Sequence, residues 1–214
     1  MPLTPSQFRI LILTLGGAAI GADFLRYDAF FILKPLCTIA ILVFAIAYRN
    51  LSLKNYTLQI VAGLFFCLLG DCFLLIDSYF IFGLLSFLMA HLIFLYAFIK
   101  RQGWHWRPEV AVLLLFFAGA VFSLISKDLG TLFNPVLIYL IVIVLMSWQG
   151  WAMALNPKME QRRFLGGAVS LFLVSDSLIA INKFSYPFSL SGVLILATYW
   201  FAIYFIAHSA SRYS

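Results

Sequence analysis

Residues 29–48 read AFFILKPLCTIAILVFAIAY, twenty consecutive positions with a single charge, Lys34. About 20 apolar residues are what an α-helix needs to cross bilayer hydrocarbon, so this stretch is read as a membrane span. It lacks the strict two-residue alternation of a barrel strand. Working outward, comparable runs recur near 8–23, 57–76, 79–99, 109–126, 133–155, 164–182 and 187–209. Polar breaks punctuate them at Asp23 to Asp28, Arg49 to Asn55, Asp77-Ser78, Lys100 to Pro108, Lys127 to Thr131, Asn156 to Arg163 and Lys183 to Pro187. The expected fold is all-α, a polytopic bundle of about eight transmembrane helices forming one membrane domain over residues 1–214.

Composition agrees with this reading. The chain is 64% hydrophobic and 10% charged, with mean hydropathy +1.03, whereas a soluble domain carries about 25% charged residues. Eight spans leave no room for a soluble domain, so function is expected inside the bundle. The net charge of +6 is spread singly or in pairs over loops, which argues against a nucleic-acid partner and for an orientation signal. With eight spans, Arg9, Arg49, Lys54, Lys100, Arg101, Arg107, Lys158, Arg162, Arg163 and Arg212 share one face, and Arg26 and Lys127 lie opposite. Because Lys and Arg gather on the cytoplasmic side, both termini are expected there. Trp104 and Trp106 then fall in a cytoplasmic loop, with Trp151 near that interface. The first run has only Arg9 before it and no clear small-residue cleavage site after it, so it is read as a retained helix. A bacterial plasma membrane is the expected location, or the endoplasmic reticulum for a eukaryotic chain.

Ionisable groups inside a span are expensive and mark partners or cavities. Asp71 lies six residues before Asp77, and Asp176 seven before Lys183; at about 1.5 Å per residue both carboxyls are expected roughly 9–10 Å below one boundary. Lys34 and Tyr139 enter from the same side to a similar depth, so a single pocket shared by four helices is the economical expectation. His91, near mid-span, is a candidate floor or proton partner for it. Lys183 is a candidate phosphate ligand at the mouth. Blander readings stand beside these: a backbone-bonded histidine, a snorkelling lysine, and two aspartates that merely fix helix packing against Lys34 and Tyr139. Asp77 reads as a solvated loop charge. Ser175 and Ser177 flank Asp176, although small hydroxyl residues are common at helix contacts.

Other chemistries fit poorly. No G-x-S-x-G elbow is present, and the histidines are too dispersed for a catalytic zinc, which usually has three protein ligands. Cys37, Cys67 and Cys72 all fall in apolar runs and read as small core residues, so no disulfide, metal cluster or cofactor is expected. The 23 phenylalanines read as lipid-facing and packing surface. An offset of 105 residues relates Leu69-Gly70-Asp71 to Val174-Ser175-Asp176, and Lys34 to Tyr139. A repeat of that kind would make two parallel four-helix halves.

With those residues placed, the chain resembles the YhhN-type lysoplasmalogenase family of small polytopic membrane proteins. The resemblance rests on Lys34-Pro35-Leu36, on Leu69-Gly70-Asp71 with Leu74, and on Phe87-Leu88-Met89-Ala90-His91. Tyr139 with Met146, and Ser175-Asp176-Ser177-Leu178 with Lys183-Phe184, complete it. The resemblance covers about residues 29 to 205, leaving the first and last spans without a motif. It implies an enzyme that hydrolyses the vinyl ether bond of a lysophospholipid to a fatty aldehyde and a glycerophospho-ethanolamine or glycerophospho-choline. That chemistry needs a proton on the β-carbon and water at the resulting oxocarbenium carbon. Burial favours a neutral carboxyl and a nearby lysine favours an ionised one, so Asp71 and Asp176 could divide the roles of acid and base. Lys34 would tune one carboxylate, Tyr139 would bond the ether oxygen or the water, and His91 would complete the network, with Ser175 and Lys183 supporting. The expected partners are lysophospholipid and bilayer, with no obligate protein partner. The competing expectation is a small proton-coupled transporter using the same carboxylates.

Overall fold

A threonine and a glutamine start the bundle. Thr4 Oγ1 accepts from the Gln7 amide at 3.3 Å and Gln7 Oε1 from the Thr4 amide at 2.8 Å, a reciprocal cap that fixes the first turn with Pro5 just inside it. The computed structural model describes residues 3–159 and 164–212. Its helices are α1 (Pro5–Phe24), α2 (Phe30–Ala47), α3 (Lys54–Phe73), α4 (Phe80–Gln102), α5 (Pro108–Ile125), α6 (Phe133–Ala154), α7 (Leu165–Phe184) and α8 (Ser191–His208). Among the described residues these eight are long and apolar enough to cross a membrane, and the chain is an all-α integral membrane bundle, as the apolar runs predict.

Boundaries shift for identifiable reasons. The third helix ends at Phe73 rather than near residue 76, because Leu74–Ile76 turn across the bundle end. Asp71 therefore stands closer to that end than a continuous helix to Asp77 would place it. The eighth begins at Ser191, four residues later than expected, since the Phe188 amide donates to Asn182 Oδ1 at 3.2 Å and Pro187 has no N–H to give a helix.

Loop contacts confirm that the helices alternate in direction. At one end the Tyr48 hydroxyl donates to the Leu3 carbonyl, the Asn50 amide to Ala210 at 3.1 Å and the Arg212 amide to Tyr48 at 3.0 Å. At the other end Ser185 Oγ donates to Leu124 at 3.1 Å, and Lys183 Nζ meets Asp77 Oδ1, also at 3.1 Å. Lys183 therefore belongs with Arg26 and Lys127 at the second end, and Asp77, solvated at 99% exposure as its loop position predicts, is its ion-pair partner. Arg162 and Arg163 lie outside the described residues.

Around the bundle α2 packs on α1, α3 and α8, while α6 packs on α4, α5 and α7. The last helix, which carries no motif of the resemblance, also packs on α1 and α7, burying Tyr199, Trp200 and Ile203. Phenylalanines serve both purposes expected of them: Phe94 and Phe172 are fully buried, whereas Phe116 faces outward at 79% exposure. Cys37 and Cys67 are core residues, but Cys72 faces outward, because it follows the inward-facing Asp71 on the helix.

Close packing brings α3 and α4 together through glycine. A Cβ built at Gly70 would lie 2.6 Å from the Phe87 ring, closer than packed atoms tolerate. Gly70→Ala is expected to lower stability by about 1–3 kcal/mol, measurable as an earlier thermal transition in detergent; an unchanged transition would mean that Phe87 moves freely aside.

Candidate active site

Helical register, which spacing along the chain cannot supply, decides which polar groups meet. They do not form one chamber. They resolve into two clusters, each built around one aspartate.

Asp71 on α3 is buried, its side chain 2% exposed. Its Oδ2 accepts from Thr38 Oγ1 at 2.5 Å and from the Tyr199 hydroxyl at 2.8 Å. Lys34 Nζ stands 3.9 Å from Oδ1. Thr38 is one helical turn beyond Lys34, so the two share a face of α2, and Thr38 also accepts from Trp200 Nε1 at 3.2 Å. Thr38, Tyr199 and Trp200 were not singled out in the sequence. Their signal was available: a hydroxyl or indole N–H inside a span has to find a partner there.

Asp176 on α7 makes the second cluster. Its Oδ2 accepts from the Tyr139 hydroxyl at 2.5 Å and is 2.9 Å from His91 Nε2. His91 Nε2 is also 2.9 Å from the Tyr139 oxygen. The histidine is fully buried, and its Nδ1 has no hydrogen-bond partner. An N–H at Nδ1 would be stranded, whereas the tautomer with its proton on Nε2 serves Asp176. Histidine and tyrosine thus both donate to Oδ2, and no hydrogen bond among the described residues uses Oδ1.

Aromatic rings divide the clusters. The Phe172 ring lies 4.6 Å from His91 and 5.6 Å from Tyr199 between centroids, and Phe87 lies 5.7 Å from Tyr199. Only the second cluster meets the cavity found beside it. That cavity, about 50 Å³, is lined by Asp176, Tyr139, Phe80, Phe87, Phe184 and neighbouring aliphatics, and Asp71 is not among its lining residues. At about 30 Å³ of liquid per molecule it has room for one or two waters. Phe80 and Phe184, both in its lining, meet edge to face at 5.8 Å.

Two expected supporting residues stand outside both hydrogen-bonded clusters. The Ser175 hydroxyl donates to the Ile195 carbonyl at 3.1 Å, which turns it toward α8 and away from the cavity; it is a packing contact. Lys183 is tied to Asp77 and lies over the Phe80 ring at 5.2 Å, so it stands beside a residue that lines the cavity. No group of three metal-ligating side chains occurs among the described residues.

The 105-residue echo has a structural counterpart. Each aspartate is bonded from the second helix of its own half, Lys34 and Thr38 on α2 or Tyr139 on α6. Each is also bonded from the fourth helix of the other half, Tyr199 on α8 or His91 on α4.

Comparison with known proteins adds the family. The profile described as the YhhN family matches residues 29–210. The chain is 30% identical to lysoplasmalogenase TMEM86A of Bos taurus and 31% identical to that of Homo sapiens, in each case over 71% of this chain and 65% of the relative. To lysoplasmalogenase TMEM86B of Homo sapiens it is 29% identical, over 74% of this chain and 66% of the relative. The matched stretch thus spans about two thirds of the length of these curated relatives. No solved structure matches.

Proposed function

Since the chain belongs to the YhhN family, we propose that it hydrolyses the vinyl ether bond of a lysoplasmalogen, releasing a fatty aldehyde and a glycerophospho-alcohol, with Asp176 as the reacting carboxyl. The observation that carries this reading is Asp176 at the wall of a water-sized cavity, its Oδ2 held by Tyr139 and His91 and its Oδ1 unengaged.

In the first step the protonated Asp176 carboxyl gives its proton to the β-carbon of the enol ether, and the C=C electrons form that C–H bond. The carbon bonded to oxygen becomes an oxocarbenium centre. Water adds there, and the Asp176 carboxylate takes the water proton. The Asp176 carboxyl then protonates the glycerol oxygen of the hemiacetal as its C–O bond breaks, and the carboxylate takes the hemiacetal hydroxyl proton as the aldehyde C=O forms, which restores the carboxyl. The His91 and Tyr139 donors to Oδ2 steady the carboxylate formed in the first step, a charge that develops only as the proton leaves.

Asp71 takes a different part from the acid/base role expected of it. Held at Oδ2 by Thr38 and Tyr199, paired with Lys34 and set apart from the cavity, it positions α2, α3 and α8 behind the reacting cluster. The end of the bundle that holds both termini faces the cytosol by its excess of arginine and lysine, so substrate arrives from the opposite leaflet. Lys183, beside the cavity rim, is placed to exchange Asp77 for the substrate phosphate.

Incubating purified protein in detergent with vinyl ether and ester lysolipids tests the activity. Aldehyde from the vinyl ether lipid alone is the expected product, whereas uptake of intact solute into vesicles with no product would favour a carrier. Tyr139→Phe removes one donor from the carboxylate and is expected to lower kcat about ten- to a hundredfold with little change in KM. An unaltered kcat would remove Tyr139 from the chemistry.

A further inference from the structure

A larger cavity lies away from both aspartates, on the outward face between α1 and α8. It is a groove of about 360 Å³, within the roughly 300–1,000 Å³ usual for small-molecule sites. Its sides are apolar, from Leu13, Gly17 and Ile20 on α1 to Ala197 and Phe201 on α8. Space at Gly17 is open, since a Cβ there would meet nothing within 4 Å. The inner wall is Trp200, anchored by its indole N–H on Thr38. The groove is therefore preformed, with a fixed aromatic floor.

Charge and length identify the occupant. Arg9 and His208 stand at the terminal end of the groove. Arg9 Nη2 donates to Ser6 Oγ at 3.0 Å, and none of the ion pairs among the described residues engages it. From Arg9 to Ile20 the groove extends about 16 Å at 1.5 Å per residue, close to half of a hydrocarbon core about 30 Å thick. A site one leaflet deep, apolar along its length and cationic at the interface, matches a membrane phospholipid. We propose that this groove binds one chain of an anionic phospholipid, with its phosphate against Arg9.

Delipidated protein titrated in detergent with phosphatidylglycerol or phosphatidylcholine, followed by native mass spectrometry, tests this. The wild type is expected to retain one phosphatidylglycerol about fivefold more tightly than phosphatidylcholine, a preference of the size one arginine supplies near an anionic lipid. Arg9→Gln should erase that preference. Gly17→Leu, whose Cβ has open space and whose side chain would occupy the groove, should weaken retention of both lipids. Equal retention of the two lipids by the wild type would overturn the proposal. So would phosphatidylglycerol retention unchanged in both variants.

Discussion

Asp176→Asn is expected to leave the bundle folded while lowering aldehyde release from a lysoplasmalogen by about a hundredfold or more, the scale on which a positioned acid/base group contributes. The substitution keeps the shape of the side chain, and Asn Oδ1 can still accept from Tyr139 and His91. What it removes is the exchangeable acid proton and the basicity needed to recover it from water. Stability should therefore change little, because both hydrogen bonds to the side-chain oxygen are kept and Asp176 has no Lys or Arg partner among the described ion pairs. Single-turnover measurement of aldehyde, beside a thermal transition on the same preparation, separates the two effects. A variant that releases aldehyde at the wild-type rate would remove Asp176 from the chemistry.

The second large effect is expected at Asp71 and is of the opposite kind. Asp71→Asn strands the Lys34 ammonium, itself 9% exposed, without its counter-charge. Breaking such a pair from one side costs about 3–5 kcal/mol, so the thermal transition should fall steeply and activity with it. Adding Lys34→Met removes the stranded charge. The double variant is expected to regain most of the lost stability and, in proportion, its hydrolysis. If stability returns while hydrolysis stays as low as in Asp176→Asn, Asp71 handles a proton itself and the positioning role is wrong.

The contrast between the aspartates marks where sequence reading ends. Eight apolar runs were legible because bilayer thickness imposes a length, and interruptions such as Arg49 to Asn55 fell near the true helix ends. Asp71, Asp176, Lys34, His91 and Tyr139 were legible as a set because each is costly inside a span. Their partition was not. Asp71 goes to Lys34 and Asp176 to Tyr139 and His91 according to how each helix is rotated about its axis, which hydrophobic pattern leaves loose when nearly every position is apolar. Ser175 shows the same limit: one residue from Asp176 in sequence, it lies about 100° around the helix and bonds α8 instead. Tyr199 was missed for the complementary reason, because a tyrosine in an apolar run looks like packing until its hydroxyl is seen to reach Asp71. The cavity beside Asp176 depends on Phe80, Phe87 and Phe184 coming from separate segments, and no local motif foretells it.

Carbon protonation leaves a signature in the product, and it can be read by running the purified wild-type protein with a vinyl ether lysolipid in D2O. Mass analysis of the aldehyde, trapped as it forms, is expected to find one deuterium on the carbon next to the carbonyl. Aldehyde without that deuterium, or lysolipid recovered intact, would contradict acid-initiated hydration of the enol ether.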